Sequence, residues 1–175
     1  MSKRGHLPTM AGLFAAVILS SMLVGCQQQQ ADAVVTGQAT KNVMLQNVEI
    51  YNTGNTELIN TIISPTYVGH FSSMPEPVVG REAFTEWVLM NRGGYSDFKV
   101  TIDDIVVEKN RICLMWTVSG THDGQLGELA PTGKRVNLKG LTLARVQNGQ
   151  IVEEWITWNQ LEMYKQLGIE VMPEA

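Results

Sequence analysis

The hydrophobic pattern of the chain changes its period near Phe98, and this change limits the possible folds more than any other feature. Before it, apolar residues recur three or four positions apart, as on one face of a helix. After it, Phe98, Val100 and Ile102 begin an alternation of apolar and polar residues that is typical of a strand with one solvated face. The pattern therefore predicts an α+β fold, in which helices cover one face of an antiparallel sheet.

Three helices are predicted before the change of period. The first covers residues 41–52 and ends at Gly54, since glycine readily adopts the left-handed conformation of a helix C-terminus. The second begins after Thr56 and ends before Pro65, because proline disfavours helical geometry in the residue that precedes it. The third covers residues 80–90.

Two tight turns divide the second half of the domain into strands. One is Lys109-Asn110, and the other is Asn148-Gly149, a pair typical of two-residue hairpins whose central residues both need positive φ. Long strands with one face under helices tend to curl, and the curl leaves a cavity in which we expect the functional site. Besides the strand that starts at Phe98, the predicted elements are strands over 112–119, 134–146 and 151–157 and a final helix over 160–167.

The first 25 residues have the composition of an export signal. Lys3 and Arg4 precede an apolar run that is shorter than the ~20 residues of a membrane-spanning helix. A small residue, Gly25, then precedes Cys26, which resembles the end of a bacterial lipoprotein signal. The resemblance implies cleavage before Cys26 and a lipid on its thiol. The alternative is an ordinary signal peptide with a chance cysteine.

The predicted organisation is a signal peptide over 1–25, a lipidated Cys26 with a flexible tether over 26–40, a domain over 41–169 and a tail over 170–175. A polar tract of four glutamines follows Cys26 and favours the tether. By analogy with sorting in Gram-negative bacteria, Gln27 predicts an outer-membrane lipoprotein that faces the periplasm.

The charge and the cysteine content argue against two classes of function, nucleic-acid binding and cysteine catalysis. The formal net charge is −4 and no basic cluster is present, so a nucleic-acid partner is not expected. Cys113 lies in an apolar, strand-like run and is predicted to be a buried small hydrophobe. The alternative, a catalytic nucleophile, lacks a base nearby in the sequence.

Several short segments, in the same order and spacing, resemble those of the SnoaL-like polyketide cyclases and ester cyclases. The resemblance covers about residues 41–168 and implies the cone-shaped α+β fold of the nuclear transport factor 2-like superfamily. The matching segments are residues 80–84 (GREAF), 120–126 (GTHDGQL), 131–135 (PTGKR), 148–155 (NGQIVEEW) and 166–168 (QLG).

The resemblance also implies which positions would carry cyclase chemistry, and all of them have changed. The catalytic aspartate of the family falls at Ile156, and its companion histidine falls at Glu154. A polar pair on the preceding strand falls at Gly140 and Thr142. An isoleucine cannot transfer a proton, so the resemblance favours a domain that binds a small, mostly apolar molecule without cyclase chemistry.

Three residues are candidates for catalysis in an active enzyme. Alternation along the last strand places Glu154 and Ile156 on the face that lines the cavity, where Glu154 would act as a general base with His122 or His70. The alternatives are a hydrated or ion-paired Glu154, a loop-holding His122 and a surface His70. Neither histidine has an acidic neighbour at ligand spacing, so we expect no metal; we also expect no cofactor.

Aromatic and apolar residues are predicted to form the wall of the cavity, either as core or as contacts of a flat apolar ligand. The outer face of the sheet, with Met115 and Trp155, is expected to pair with a second copy of the chain; a monomer in light scattering at high concentration would contradict this expectation. The predicted ligand-binding residues are Tyr67, Phe84, Trp87, Trp116, Leu138, Thr142, Ile156 and Trp158.

Overall fold

The structure is a computed structural model that describes residues 37–170. The predicted signal peptide, Cys26, most of the predicted tether and the residues after 170 lie outside the described residues. The elements are α1 (residues 37–53), α2 (Glu57–Ile62), β1 (Ile63–Phe71), β2 (Val78–Val79), α3 (Gly80–Gly94), β3 (Lys99–Glu108), β4 (Arg111–Thr121), β5 (Arg135–Gln147), β6 (Gln150–Trp158) and α4 (Gln160–Leu167).

The six strands form one curved, unclosed sheet in the order β2-β1-β6-β5-β4-β3. Neighbours pair antiparallel except β1 and β6, which are parallel. The pairing register shifts between Ile102 and Asp104 in β3 and between Arg145 and Val146 in β5. Such bulges bend a sheet and increase its twist. The predicted α+β fold with a curved sheet is confirmed.

Both predicted tight turns are present, and the backbone angles explain the sequence of the Asn148-Gly149 turn. Lys109 has φ +55°, Asn148 has φ +51° and Gly149 has φ +75°. These left-handed conformations are accessible to glycine and are tolerated by asparagine more easily than by most residues. The turns therefore set the register of the β3–β4 and β5–β6 hairpins, which carry the residues of the inner face.

Helix α1 begins earlier than the sequence pattern predicts. Residues 37–40, assigned above to the tether, are helical in the structure. Thr40 is buried, and its hydroxyl donates a hydrogen bond to the carbonyl of Lys109 at 3.0 Å. Thr40 and Lys109 are 69 residues apart in the sequence. The local composition around Thr40 therefore did not reveal that residues 37–40 are helical.

Strand β1 was not predicted from the sequence. It contains Pro65 and Gly69, two residues that weaken a strand pattern. Its position is fixed instead by parallel pairing with β6, in which Gly69 lies opposite Glu154 and Phe71 opposite Ile156. This pairing places Tyr67, Gly69 and Phe71 on the inner face beside the candidate site.

The core lies between the concave face of the sheet and the helices. One apolar cluster includes Met44, Ile50 and Phe84, and a second includes Leu138 and Leu167 near α4. Within residues 37–170, no helix is both long enough and apolar enough to cross a membrane.

Candidate active site

A mostly apolar cavity lies between the concave face of the sheet and helices α1, α3 and α4. Its volume is about 130 Å³, roughly ten times the ~10–15 Å³ that one water molecule requires by the same measure. Trp87, Trp116 and Trp158 line it together with other aromatic and aliphatic side chains. Among the described residues that line it, Glu154 is the only one with an ionisable acid or base other than tyrosine.

Glu154 projects from β6 into this cavity with only 1% of its surface exposed. Its Oε1 accepts a hydrogen bond from Asn47 Nδ2 at 3.1 Å, and its Oε2 accepts one from the hydroxyl of Tyr67 at 2.8 Å. The carboxyl group makes no salt bridge with any described residue. Two neutral donors therefore hold the group in one orientation without neutralising its charge.

Burial raises the pKa of Glu154 from 4.5 to about 7. Removal of a carboxylate from water disfavours its charged form, and the hydrogen bond from Tyr67 opposes this effect only in part. A carboxyl group with such a pKa is present near neutral pH in both protonation states. It can therefore accept a proton and return it within one reaction cycle.

Gly69 makes the hydrogen bond between Tyr67 and Glu154 possible. A Cβ atom at Gly69 would lie 2.5 Å from the Tyr67 hydroxyl oxygen and 2.7 Å from Phe71 Cε2. Because Gly69 has no side chain, the ring of Tyr67 can extend over it toward the carboxyl group. Burial, followed by the negative charge of Glu154, raises the pKa of Tyr67 well above its usual range, so Tyr67 remains a donor.

Asn47 is a site residue that the sequence analysis missed. Its side chain is buried and lines the cavity, and its Oδ1 has no hydrogen-bond partner among the described residues. The available signal was its position three residues after Met44 on the apolar face of α1, where a polar residue is unusual. An unpaired buried acceptor of this kind would stabilise a ligand that offers a donor.

Neither candidate histidine contributes to the lining of the cavity. His122 is fully buried, its Nδ1 lies 3.2 Å from Thr132 Oγ1, and its backbone bonds to residues 132–134 of the same loop. Burial lowers the pKa of His122, which favours its neutral form. The contacts of this side chain are those of a residue that holds a loop in place.

His70 lies on the opposite side of the sheet from Glu154. Its Nε2 is 3.2 Å from Glu153 Oε1, and its ring stacks on Trp155 with the centroids 5.3 Å apart. Glu153 also pairs with Arg145 at 2.9 Å. The structure therefore does not bring His70 together with Glu154, although the two residues belong to adjacent strands.

The predicted ligand-binding residues fall into two groups. Tyr67 and Phe84 are not part of the lining; their rings pack edge to face behind it, with centroids 5.1 Å apart. The other six line the cavity: Trp87, Trp116, Leu138, Thr142, Ile156 and Trp158.

The outer face of the sheet exposes several large apolar side chains. Met115 is 49% exposed and Trp155 is 41% exposed, and Leu141 lies directly opposite Met115 in the sheet. The pairing of this face with a second copy stays a prediction. Cys113 is a free, half-buried cysteine beside this surface.

No group of three or more potential metal ligands (His, Cys, Asp or Glu) occurs within residues 37–170.

The arrangement of a curved sheet, covering helices and one buried carboxyl group defines a class of protein. The domain resembles a protein with a ketosteroid isomerase-like fold from Catenulispora acidiphila, with a TM-score of 0.63 over 75% of this chain and 97% of the other, at 14% identity. It also resembles a candidate SnoaL-like polyketide cyclase from Jannaschia sp. CCS1, with a TM-score of 0.71 over 78% of this chain and 96% of the other, at 17% identity. The fold is therefore ketosteroid isomerase-like, also called nuclear transport factor 2-like.

Sequence comparison assigns the family. The model of the family described as SnoaL-like polyketide cyclase matches residues 41–167. Aklanonic acid methyl ester cyclase DnrD of Streptomyces peucetius is 30% identical over 125 residues, which cover 69% of this chain and 85% of that protein. The chain belongs to the SnoaL-like polyketide cyclase family, as the resemblance of its short segments predicted.

The pKa of Glu154 predicts how stability depends on pH. Because the pKa rises from 4.5 in the unfolded chain to about 7 in the folded protein, the folded protein holds this proton more tightly. The resulting stabilisation is complete below pH about 4.5 and is lost as the pH rises through about 7. We expect the free energy of unfolding of the wild type to fall relative to that of Glu154→Gln by about 3 kcal/mol across this range, measured by urea denaturation.

Glu153→Gln provides the matched control for this experiment. Glu153 is the neighbour of Glu154 on the other face of the sheet, and the hydrogen bond from Arg145 holds its pKa below the usual range. Between pH 4.5 and pH 7, the free energy of unfolding of the wild type should therefore not fall relative to that of Glu153→Gln. Stability curves of wild type and Glu154→Gln that run parallel would contradict the raised pKa.

Proposed function

We propose that the domain is a cofactor-free enzyme of the isomerase or cyclase type, in which Glu154 is the general base. The observation that supports this most is an ionisable carboxyl group buried in an apolar cavity, with a pKa of about 7 and no cationic partner among the described residues. A base is most efficient when its pKa lies near the working pH. Membership of a cyclase family is consistent with such chemistry, although one fold can host many reactions.

The proposed substrate is a flat, mostly apolar molecule with a carbonyl group. The Glu154 carboxylate takes a proton from the carbon next to the carbonyl carbon. The electron pair of that C–H bond forms a C=C bond, and the π pair of the carbonyl moves to its oxygen, which gives an enolate. If the substrate has a C=C bond next to the deprotonated carbon, the enolate is a dienolate that can take the proton back from Glu154 at the far carbon of that bond while the C=C bond shifts and the carbonyl re-forms, which is isomerisation. Alternatively, the α-carbon of the enolate attacks a second carbonyl carbon of the same molecule, a C–C bond forms, and the oxygen of that carbonyl takes the proton from Glu154.

Ile156 favours a second candidate function, which is binding without chemistry. At the position that the family resemblance gives to the catalytic aspartate, this side chain adds only hydrocarbon to the lining of the cavity. In that case the aromatic wall would capture an apolar molecule, and Glu154 would only orient it. The two functions differ in the expected effect of neutralising Glu154.

Deuterium exchange into 2-tetralone tests the catalytic function without knowledge of the natural substrate. This bicyclic ketone is flat and apolar, and it has acidic hydrogens next to its carbonyl group. We expect the wild-type protein to accelerate exchange in heavy water, followed by NMR, with a rate that rises through a pH of about 7 as Glu154 ionises. Glu154→Gln should lower the enzymatic rate by a factor of about 10²–10⁴, the usual contribution of a general base.

The matched control is again Glu153→Gln, which changes the same side chain on the opposite face of the same strand. It should retain the wild-type rate of exchange. Binding of 2-tetralone by both Glu154→Gln and the wild type, with no exchange by either above the buffer rate, would reject catalysis in favour of binding alone.

We further propose that the chain is a lipoprotein of the cell envelope, anchored by a lipid on Cys26 and facing the periplasm from the outer membrane. The support is the charged start, the short apolar run and the Gly25-Cys26 pair of the sequence. In cells fed a clickable palmitate analogue, the full chain should incorporate the analogue. After lysis and centrifugation it should be found in the membrane fraction. Cys26→Ser should abolish the label, whereas Cys113→Ser should keep it; labelling that persists in Cys26→Ser would contradict the anchor.

A further inference from the structure

Gly140, Trp116 and Thr142 form a built hydrogen-bonding unit on the wall of the cavity. Trp116 lies directly opposite Gly140 in the β4–β5 ladder. A Cβ atom on Gly140 would lie 2.2 Å from Cη2 and from Cζ2 of Trp116, so the indole ring occupies the space that a side chain at position 140 would need. From this position the Nε1 atom of Trp116 donates a hydrogen bond to Thr142 Oγ1 at 2.9 Å.

Because the Thr142 hydroxyl accepts a hydrogen bond from Trp116, it can act toward a ligand as a donor. A hydroxyl has one proton to donate and two lone pairs that accept. One lone pair of Thr142 is taken by Trp116, while its proton has no acceptor among the hydrogen bonds of the described residues. Thr142 is only 6% exposed and lines the cavity, so a ligand in the cavity is the available acceptor.

Thr142 and Glu154 face the cavity as diagonal neighbours. Thr142 lies opposite Ile156 in the β5–β6 ladder, and Ala144 lies opposite Glu154. Diagonal pairs on one face of an antiparallel sheet lie about 7–8 Å apart, which long side chains or a small ligand can bridge. A carbonyl oxygen is separated from the proton-bearing carbon by only two bonds. A substrate can therefore present its C–H group to Glu154 and its oxygen to Thr142.

We propose that the Thr142 hydroxyl donates a hydrogen bond to the oxygen that becomes negative when Glu154 removes the proton, and that Trp116 is a positioning residue for this donor. This inference rests on the proposed function. A donor fixed in advance at the site of developing charge stabilises the transition state more than the ground state. The other neutral donors beside the carboxyl group, Asn47 and Tyr67, already bond to Glu154 itself.

Kinetics of 2-tetralone exchange test the role of the donor. Thr142→Val keeps the shape of the side chain and removes the hydroxyl, so kcat should fall by a factor of about 10²–10³, as for removal of one oxyanion donor, with a much smaller change in KM. Thr142→Ser should restore most of the rate. Trp116→Phe keeps a ring over Gly140 but lacks the N–H, and it should lower kcat by a smaller factor than Thr142→Val.

The pH profile separates the donor from the base. Thr142→Val should leave the pH at which the rate is half-maximal unchanged, because the hydroxyl makes no bond to Glu154. A rate in Thr142→Val equal to that of the wild type, or a comparable loss in Thr142→Ser, would overturn the inference. A large loss in Tyr51→Phe with none in Thr142→Val would also overturn it, because Tyr51 is another hydroxyl on the cavity wall.

Equilibrium binding of 2-naphthol keeps the inference testable if the domain does not catalyse exchange. This molecule has the shape and oxygen position of the enol form of 2-tetralone. We expect Thr142→Val to bind 2-naphthol about five- to tenfold more weakly than the wild type, the effect of one hydrogen bond. Naphthalene, which has no oxygen, should bind both proteins equally, with fluorescence as the measurement.

The outcomes for the two proposals are distinct. If exchange depends on Glu154 but neither exchange nor 2-naphthol binding depends on Thr142, the inference fails and the proposed function stands. If 2-naphthol binding depends on Thr142 but the wild type does not catalyse exchange, the proposed function fails and the hydrogen-bonding site stands. Failure of the wild type to bind 2-naphthol more tightly than naphthalene would overturn the site.

Discussion

The candidate site depends on the burial of one carboxyl group, that of Glu154, in an apolar cavity, with no cationic partner among residues 37–170. An isolated charge in such surroundings is strongly destabilising, so the group holds its proton more tightly and its pKa rises to about 7. Two neutral donors, Tyr67 and Asn47, limit the rise and fix the orientation. Gly69 is needed because any larger residue would displace Tyr67 from the carboxyl group. One electrostatic constraint thus explains residues on three separate elements.

The position of the carboxyl group bears on the proposal that Glu154 acts as a base, since the family resemblance gives the catalytic aspartate to position 156 rather than to position 154. Glu154 and Ile156 are two positions apart on one strand, and side chains two apart point to the same face. A carboxyl group at position 154 therefore faces the same cavity as the side chain at position 156, and two strand positions are about 6–7 Å apart. The cavity presents hydrocarbon at Ile156 and a carboxyl group at Glu154. If Glu154 is the base, as we propose, the substrate has to bind in a position shifted from the one that an aspartate at position 156 would require.

Local sequence patterns predicted the helices, the tight turns and the strands that follow residue 98. They did not predict the features that depend on pairing between strands distant in the sequence. The Asn148-Gly149 turn and the alternation after it placed Glu154 and Ile156 on the inner face, where both line the cavity. Strand β1 escaped prediction because its parallel partner, β6, is distant in the sequence. The same distance concealed the bonds of Glu154 to Asn47 and Tyr67. The separation of His70 from the cavity also follows from β1, whose alternation turns that side chain outward beside Trp155.

The ionisation of Glu154 in the folded protein is the central claim, and it can be measured directly. Selective ¹³C labelling of glutamate side-chain carboxyl groups allows each group to be titrated by NMR, with Glu154→Gln to assign the resonance. The account predicts a midpoint of about 7 for Glu154. A midpoint close to 4.5, the ordinary value, would mean that water or a cation reaches the carboxylate and would contradict the account.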